Sequence, residues 1–467
     1  MAKESSERII FHIDVNSAFL SWSAVKRLEE DPGSVDLRTI PSIVGGDIAT
    51  RHGIVTAKSI PAKKLGIETA EPVARALQKC PNLVIVRSDF ETYRKYSRAF
   101  IAILRQYAPV VEQASIDEAF ADMTEVFEAY EKGGAALSER MPGPGLDRRE
   151  FALEMARRIR DEVRESLGFT VNVGISVNKL LAKMASDFTK PDRTHTLYPS
   201  EIPDKMWPLP VGDLFGCGRK TAERLASLGV STIGDAASLP LEVLQTSLGE
   251  KSGEYIFRSV RGKGSDRVSD EREDAKSYSN EVTTASDITA ENYSEEMPPL
   301  LKALSQKVAS RLRRDHVYAR TIGVMVKTND FRRRSMQQKA EDSTNSEEVL
   351  LRIAASLMEK LLLGDKGLLS SDGSGIRLVG ISAADLDDGN FRQMNLMDYL
   401  TQALSGEPAK SPSAEPSREY TEDSGGNMPD KKRPDERLRR LTEMSRKINE
   451  RYGENTVRRG AGKRENK

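Results

Sequence analysis

The segment Arg-Ile-Ile-Phe-His-Ile at residues 8–13 is largely β-branched and apolar, and Asp14 follows it directly. Near-continuous apolar runs belong to strands covered on both faces, so the pattern predicts a buried strand that carries a carboxylate to its end. Such a sheet needs helices packed against it, and the following sequence supplies them in alternation. Leu83 to Val86 reads as a strand, and over 91–107 the residues Tyr93, Tyr96, Phe100, Ile103, Leu104 and Tyr107 recur at helical spacing. Val110, Val111 and the segment 115–120 return to strand and bring a second acidic centre, Asp117-Glu118. A glycine- and proline-rich loop over 131–150 precedes a helix over about 149–167, and 171–177 is again strand. The body up to residue 197 therefore reads as a layered α/β or α+β domain.

The remainder divides differently. Gly216-Cys217-Gly218 lies between short apolar segments, and a helix opens at Lys220 and stops near Gly229, which marks a small helical module over 198–262. Residues 263–276 have almost no apolar content and read as a linker. From 277 to 390 two helical stretches, about 292–314 and 344–363, interleave with strand-like runs at 321–328 and 376–381, a second α+β domain. Residues 404–433 are rich in Ser, Pro, Glu and Gly and are expected to be unstructured, with a short charged helix over 434–452. A chain of 467 residues suits about three domains.

Composition narrows the chemistry. Two cysteines and four histidines cannot build a disulfide framework or a four-ligand zinc site, so a bound metal is expected on oxygen. The charged amino end and an apolar run broken by His12 and Asp14 do not form a signal peptide core; a cytoplasmic protein with no membrane contact is expected. With 71 basic and 71 acidic residues, net charge says nothing for a nucleic-acid partner, and the distribution of charge has to. Residues 430–467 hold 14 Lys or Arg against 7 Asp or Glu.

Asp14 and Asp117-Glu118 are three carboxylates that one sheet can bring together, and carboxylate oxygens suit magnesium. Two such ions about 4 Å apart activate a hydroxyl nucleophile and stabilise a leaving oxygen in phosphoryl transfer. Neighbouring residues on a regular strand point to opposite faces, so Asp117 and Glu118 can share one site only if the chain bends there. By residue type alone, a pair of acidic residues is more often an ordinary solvated surface.

The segment His12-Ile13-Asp14-Val15-Asn16-Ser17-Ala18-Phe19 resembles the first motif of the Y-family DNA polymerases, the lesion-bypass class, and 114–120 resembles their second acidic motif. Between them, Gly45-Gly46-Asp47, 53–55 and 61–67 look like the finger segment; 174–179, 181–187 and Lys190-Pro191 look like the late palm motif. The resemblance implies an α+β multidomain right hand. Its parts are a palm over 1–197 with fingers inserted at about 17–84, a helix-hairpin-helix thumb at 198–262, a linker, and a little finger at 277–390. It implies that Asp14, Asp117 and Glu118 are catalytic and hold two Mg2+ ions. It implies that Phe19 is a steric gate against a 2′-hydroxyl and that Lys190 contacts the incoming triphosphate. Where many members carry a tyrosine and an arginine that grip the triphosphate, this chain has Ile60 and Lys63. Lysine neutralises phosphate without the bidentate grip of guanidinium, so weak nucleotide affinity is expected.

Gly216 and Gly218 permit close approach of backbone N–H groups to a DNA phosphate, with Lys220 beside them. Arg332 and Arg333, within a wider basic cluster, suit a duplex backbone. Gln393-Met394-Asn395-Leu396-Met397 resembles the sliding-clamp-binding peptide of bacterial polymerases, with Gln393, Leu396 and Met397 as its anchors. The expected enzyme is a monomer that takes primer-template DNA and dNTP and makes errors, since no segment suits a proofreading exonuclease. Two other readings are an inert scaffold bound to DNA and clamp, and a nuclease. Three retained carboxylates oppose the first; the finger and thumb resemblance opposes the second.

Overall fold

The computed structural model describes residues 7–46, 53–133, 140–271, 274–364, 367–370 and 375–389. Its first sheet has five strands in the order Val110–Gln113, Glu118–Asp122, Ile10–Val15, Val171–Ser176, Thr194–Thr196. The neighbours are antiparallel except for the last pair. Strand Ile10–Val15 is central and covered on both faces, with Phe11, Ile13 and Val15 toward one and Ile10, His12 and Asp14 toward the other. Phe11, Ile13 and Val15 join Phe100, Leu104, Phe151 and Ile159 in one core, under helices Phe90–Tyr107 and Arg148–Leu167. The second of these helices starts on a capping box made by Asp147 and Glu150. On the opposite face Ile10 packs with Phe120, Ala182 and Val268, and helix Lys179–Asp187 lies directly on the sheet. Gly174 permits that approach, since a Cβ there would stand 2.0 Å from the Ala182 carbonyl oxygen.

Helix Ala18–Glu30 serves two cores. Trp22 and Val25 enter the main one, while Leu20 and Ala24 pack with Leu37 and Val44 toward a three-stranded sheet, Val55–Lys58, Ser42–Gly45, Val84–Val86. Four short helices between Arg219 and Ser259 gather Leu225, Ile233, Leu244 and Ile256 into a core continuous with Leu180, Leu181 and Met184 of the palm helix.

The segment read as a linker is docked along residues 262–269. The Lys179 N–H donates to the Ser265 carbonyl at 2.9 Å, the Ser269 N–H to Glu112 at 3.0 Å, and Val268, the lone apolar residue of 263–271, is buried. Beyond it, a four-stranded antiparallel sheet runs in the order Arg333–Thr344, Tyr318–Thr328, Ile376–Asp387, Ser277–Ile288. Helices Tyr293–Arg314 and Glu347–Leu363 cover one face through Leu304, Val308, Leu312, Leu350, Leu357 and Met358. Strand Arg333–Thr344 escapes a reading by hydrophobic pattern because it is an edge strand whose buried residues are Ala340 and Thr344 alone.

Candidate active site

Asp14 stands opposite Glu118 on one neighbouring strand and opposite Asn172 on the other. The chain bends over residues 115–117, immediately before the strand that begins at Glu118, and the Val15 N–H donates to the Asp117 carbonyl at 2.9 Å. The Asp117 carboxylate accepts from the Ser115 hydroxyl at 2.5 Å. Asp14 and Asp117 line one cleft together with Phe19, Lys63 and Lys190. Glu118 faces an adjoining cleft toward the thumb, lined also by Lys179, Lys251, Arg258 and Lys263. Between the two carboxylates lies the Lys183 ammonium, 2.9 Å from Glu118 and 3.5 Å from Asp14. Lys190 reaches Asp14 at 2.7 Å and Asp187 at 3.0 Å.

Among the described residues no three acidic, histidine or cysteine side chains gather closely enough to hold one ion. The donor set still fits divalent ions of the magnesium class: it is all oxygen, and two ammonium groups here meet the electrostatic demand that a dication meets. Contact with the His12 ring, against the cost of burial, and the Lys183 ammonium hold the Glu118 carboxyl down at about 2. Burial opposes the charge of Lys190, but Asp14 and Asp187 outweigh it and raise its pKa. His12 is fully buried, and that burial lowers its pKa. Its Nδ1 lies 2.8 Å from the Ser186 hydroxyl, while Nε2 lies 3.2 Å from Glu118 without the alignment of a hydrogen bond.

Ser17, at φ 48°, turns the chain sharply from strand into helix and so sets Phe19 beside Asp14. The Phe19 ring stacks on Tyr93 at 4.6 Å and lines the cleft, so it is both a core aromatic and a cleft wall. Asn16 faces inward: it donates to Asn172 and accepts from Thr170 and from the Asp192 N–H at 2.9 Å, which fixes the loop that carries Lys190. Ile60 and Lys63 sit on the short helix Ile60–Lys64 at the cleft mouth, with Ile60 exposed. Reading by motif passed over Lys183, His12 and Lys58. The signal for Lys183 was its position four residues after Lys179 and four before Asp187, one stripe of a helix that follows a strand.

On the thumb, Gly216 has φ 81°, and a Cβ there would meet the Tyr255 hydroxyl at 2.3 Å, so this glycine serves internal packing. Gly218 caps helix Arg219–Ala226 with open space around it, and Lys220 is exposed. In the distal domain Arg332 pairs with Asp330 at 3.0 Å and Arg333 with Glu281 at 3.8 Å, both remaining exposed. The peptide Gln393–Met397, with Leu396, lies outside the described residues, as does the tail. Among the described residues no helix is long and apolar enough to cross a membrane.

Residues 13–187 match the impB/mucB/samB family, 275–396 match that family's C-terminal domain, and 212–264 match the thumb domain described for DNA polymerase-iota. The chain is 37% identical to the DNA polymerase IV of Clostridium acetobutylicum over 394 residues, 84% of this chain and 91% of the relative. It belongs to the Y-family of DNA polymerases. The Y-family chain is also 32% identical to the DNA polymerase IV 1 of Bacillus subtilis, over 97% of its length and 93% of that relative. Its fold matches a solved Y-family DNA polymerase chimera at a TM-score of 0.65, covering 81% of this chain and 98% of that one at 24% identity. The α+β right hand with a separate little finger is thus the architecture of this Y-family chain. Membership in such a family entails a divalent metal for nucleotidyl transfer, with primer-template DNA and dNTP as substrates.

Proposed function

We infer that this chain carries out template-directed DNA synthesis past lesions, joining a dNTP to a primer 3′-hydroxyl with release of pyrophosphate. The observation that carries the reading is the cleft in which Asp14 and Asp117 face Phe19, Lys63 and Lys190. Two magnesium ions bound by Asp14, Asp117 and Glu118 would activate the hydroxyl and stabilise the leaving oxygen. The protein's own groups do the rest. Lys190 and Lys63 neutralise triphosphate oxygens as point charges, and the Phe19 ring closes the space a 2′-hydroxyl would need. Lys183 keeps Glu118 ionised, and Asn16 holds the Lys190 loop in place. Gly218, Lys220, Arg332 and Arg333 bear on the DNA backbone without reading sequence.

Extension of a primed template with magnesium and four dNTPs tests this directly. Asp117→Ala is expected to abolish extension while DNA affinity stays near that of the wild type, because the thumb and little finger hold the duplex. Extension by that variant at the normal rate would remove Asp117 from the site. Gln393, Leu396 and Met397 tether the enzyme to a sliding clamp, at roughly millimolar local concentration. Changing the three to alanine is expected to leave extension on a bare primer unchanged and to remove stimulation by the clamp.

A further inference from the structure

The cleft that holds Asp14 and Asp117 is also lined by residues 56–60 and by Lys63. Lys58, the last residue of strand Val55–Lys58, lines it together with Ile60 and Lys63. Ser59 links the two lysines: its hydroxyl donates to the Ile40 carbonyl at 2.8 Å and accepts from the Ala62 N–H at 3.1 Å. That cap starts the short helix directly after the strand, so the strand-end Lys58 and the helical Lys63 line one cleft. Burial, and then the charge of Lys63, lower the Lys58 pKa. Both ammonium groups line this one cleft.

Glu68 and Glu71 offset this lowering from a distance, but neither pairs with Lys58. Lys58 donates to a neutral partner, the Thr69 hydroxyl, at 3.2 Å. Glu71, the nearby buried carboxylate, is already taken by Lys79 at 2.7 Å. Lys190, the other lysine of the cleft, is neutralised by Asp14 and Asp187. Among the described residues neither Lys58 nor Lys63 makes an ion pair. A partly buried ammonium at Lys58 beside the exposed Lys63 costs stability, and an anion held by both returns it.

We propose that Lys58 is a nucleotide-positioning residue that acts with Lys63 as a two-ammonium clamp on the incoming triphosphate, in place of one guanidinium fork. The inference rests on reading this cleft as the nucleotide site. A fork delivers two hydrogen bonds from one planar group; two lysines on separate elements deliver two charges with more freedom of angle. The clamp thus restores the charge that an arginine would bring, though not its fixed geometry. It also divides the cleft by function, with carboxylates and Lys190 at the reacting end and the Lys58–Lys63 pair at the far end of the phosphate chain.

Single-nucleotide insertion by Lys58→Ala, Lys58→Gln, Lys58→Arg, Lys63→Ala and Lys190→Ala tests this, with inorganic tripolyphosphate as a competing probe. Lys58→Ala and Lys58→Gln are expected to raise KM for every dNTP by about tenfold, the size of one charge-assisted hydrogen bond, with kcat within about twofold. The tripolyphosphate inhibition constant is expected to rise by the same factor, and Lys58→Arg to recover both values. An unchanged KM in Lys58→Ala and Lys58→Gln, beside a raised KM in Lys63→Ala and Lys190→Ala, would overturn the role of Lys58 and leave the cleft as the nucleotide site. No change in any of the three lysine-to-alanine variants would overturn the reading of the cleft itself. A fall in kcat and thermal midpoint without a change in the tripolyphosphate constant would make Lys58 structural and overturn the clamp.

Discussion

The palm sheet and the little-finger sheet are both largely antiparallel and both bury one face under two long helices; they differ in what lies on the other face. The palm's second face is covered by helix Lys179–Asp187 and by Val268, and it carries His12, Asp14 and Glu118 in fixed pairs with Lys183 and Lys190. The little finger's edge strand instead leaves Arg333, Arg334, Gln337 and Lys339 exposed, and its closest ion pairs are local or long. Covering a face fixes charges in place at a desolvation cost, which chemistry requires. Leaving it open keeps charges hydrated and adaptable, which suits a DNA backbone. Substitutions in the first sheet should therefore change rates and stability, and those in the second affinity and its salt dependence.

The largest contrast is expected at two glycines. Gly174→Ala drives a methyl group against the Ala182 carbonyl oxygen, 2.0 Å away and fixed in a helix, whereas the nearest atom to Gly323→Ala is the Ser382 hydroxyl at 2.7 Å, with the Gln337 Cβ next at 3.4 Å. Overpacking against backbone costs about 1–3 kcal/mol or more. A thermal melt is expected to show a clear fall for Gly174→Ala, with loss of extension, and little change for Gly323→Ala. Equal shifts would mean that the palm helix moves as freely as a serine rotamer.

Much of this division was legible in the sequence, for reasons that differ by region. The largely apolar run 8–13 announced a buried strand, and the helical repeat through Tyr93, Phe100 and Leu104 announced the main core. The bend at Asp117 could be stated only as a condition, since nothing in residue type reports where a strand starts. Lys183 stayed hidden because its partners, Asp14 and Glu118, are brought to it by strand pairing across more than a hundred residues of chain. The strand Arg333–Thr344 was invisible to hydrophobic pattern for the same reason that it suits DNA: it is nearly all exposed. Val268 was one apolar residue in a polar stretch, too little to reveal that the linker is docked.

Next in size is Phe19→Ala. Removing a ring that stacks on Tyr93 at 4.6 Å opens the cleft beside Asp14. Insertion of ribonucleotides relative to deoxyribonucleotides is expected to rise by at least about tenfold, since a lost clash removes discrimination against the wrong sugar. An active variant with an unchanged ratio would leave Phe19 with its packing role alone. A smaller effect is expected from changing Arg332, Arg333 and Arg334 together to alanine. Binding should weaken several-fold at moderate salt, and the slope of log affinity against log salt should fall by up to about 3, with kcat unaltered. A lower kcat with the slope intact would place these arginines in the chemistry and erase the contrast between the two sheets.

The smallest expected effect separates the sheets by acid and salt. In the palm, contact with His12, and Lys183 against the cost of burial, hold the Glu118 carboxyl at about 2, down from 4.5. In the little finger, hydrogen bonds from Arg314 and Tyr278 lower the pKa of Asp315. A carboxyl depressed on folding stabilises the protein above its unfolded pKa, and this contribution fades as pH falls toward the folded value. The thermal midpoint of the wild type should therefore exceed those of Glu118→Gln and Asp315→Asn at pH 7; the Glu118 gap should close between about pH 5 and pH 2, and the Asp315 gap should fade over the same range and close at still lower pH. Salt then tells the two apart. At about 0.5 M salt the Debye length is only about 4–5 Å, so the exposed Arg314–Asp315 pair is screened while the partly buried Lys183–Glu118 pair is screened far less. The Asp315→Asn gap is expected to shrink on adding salt and the Glu118→Gln gap to persist. If both shrank together, the palm carboxylates would be as solvated as those of the little finger, and the cover over the second palm face would not be insulating its charges.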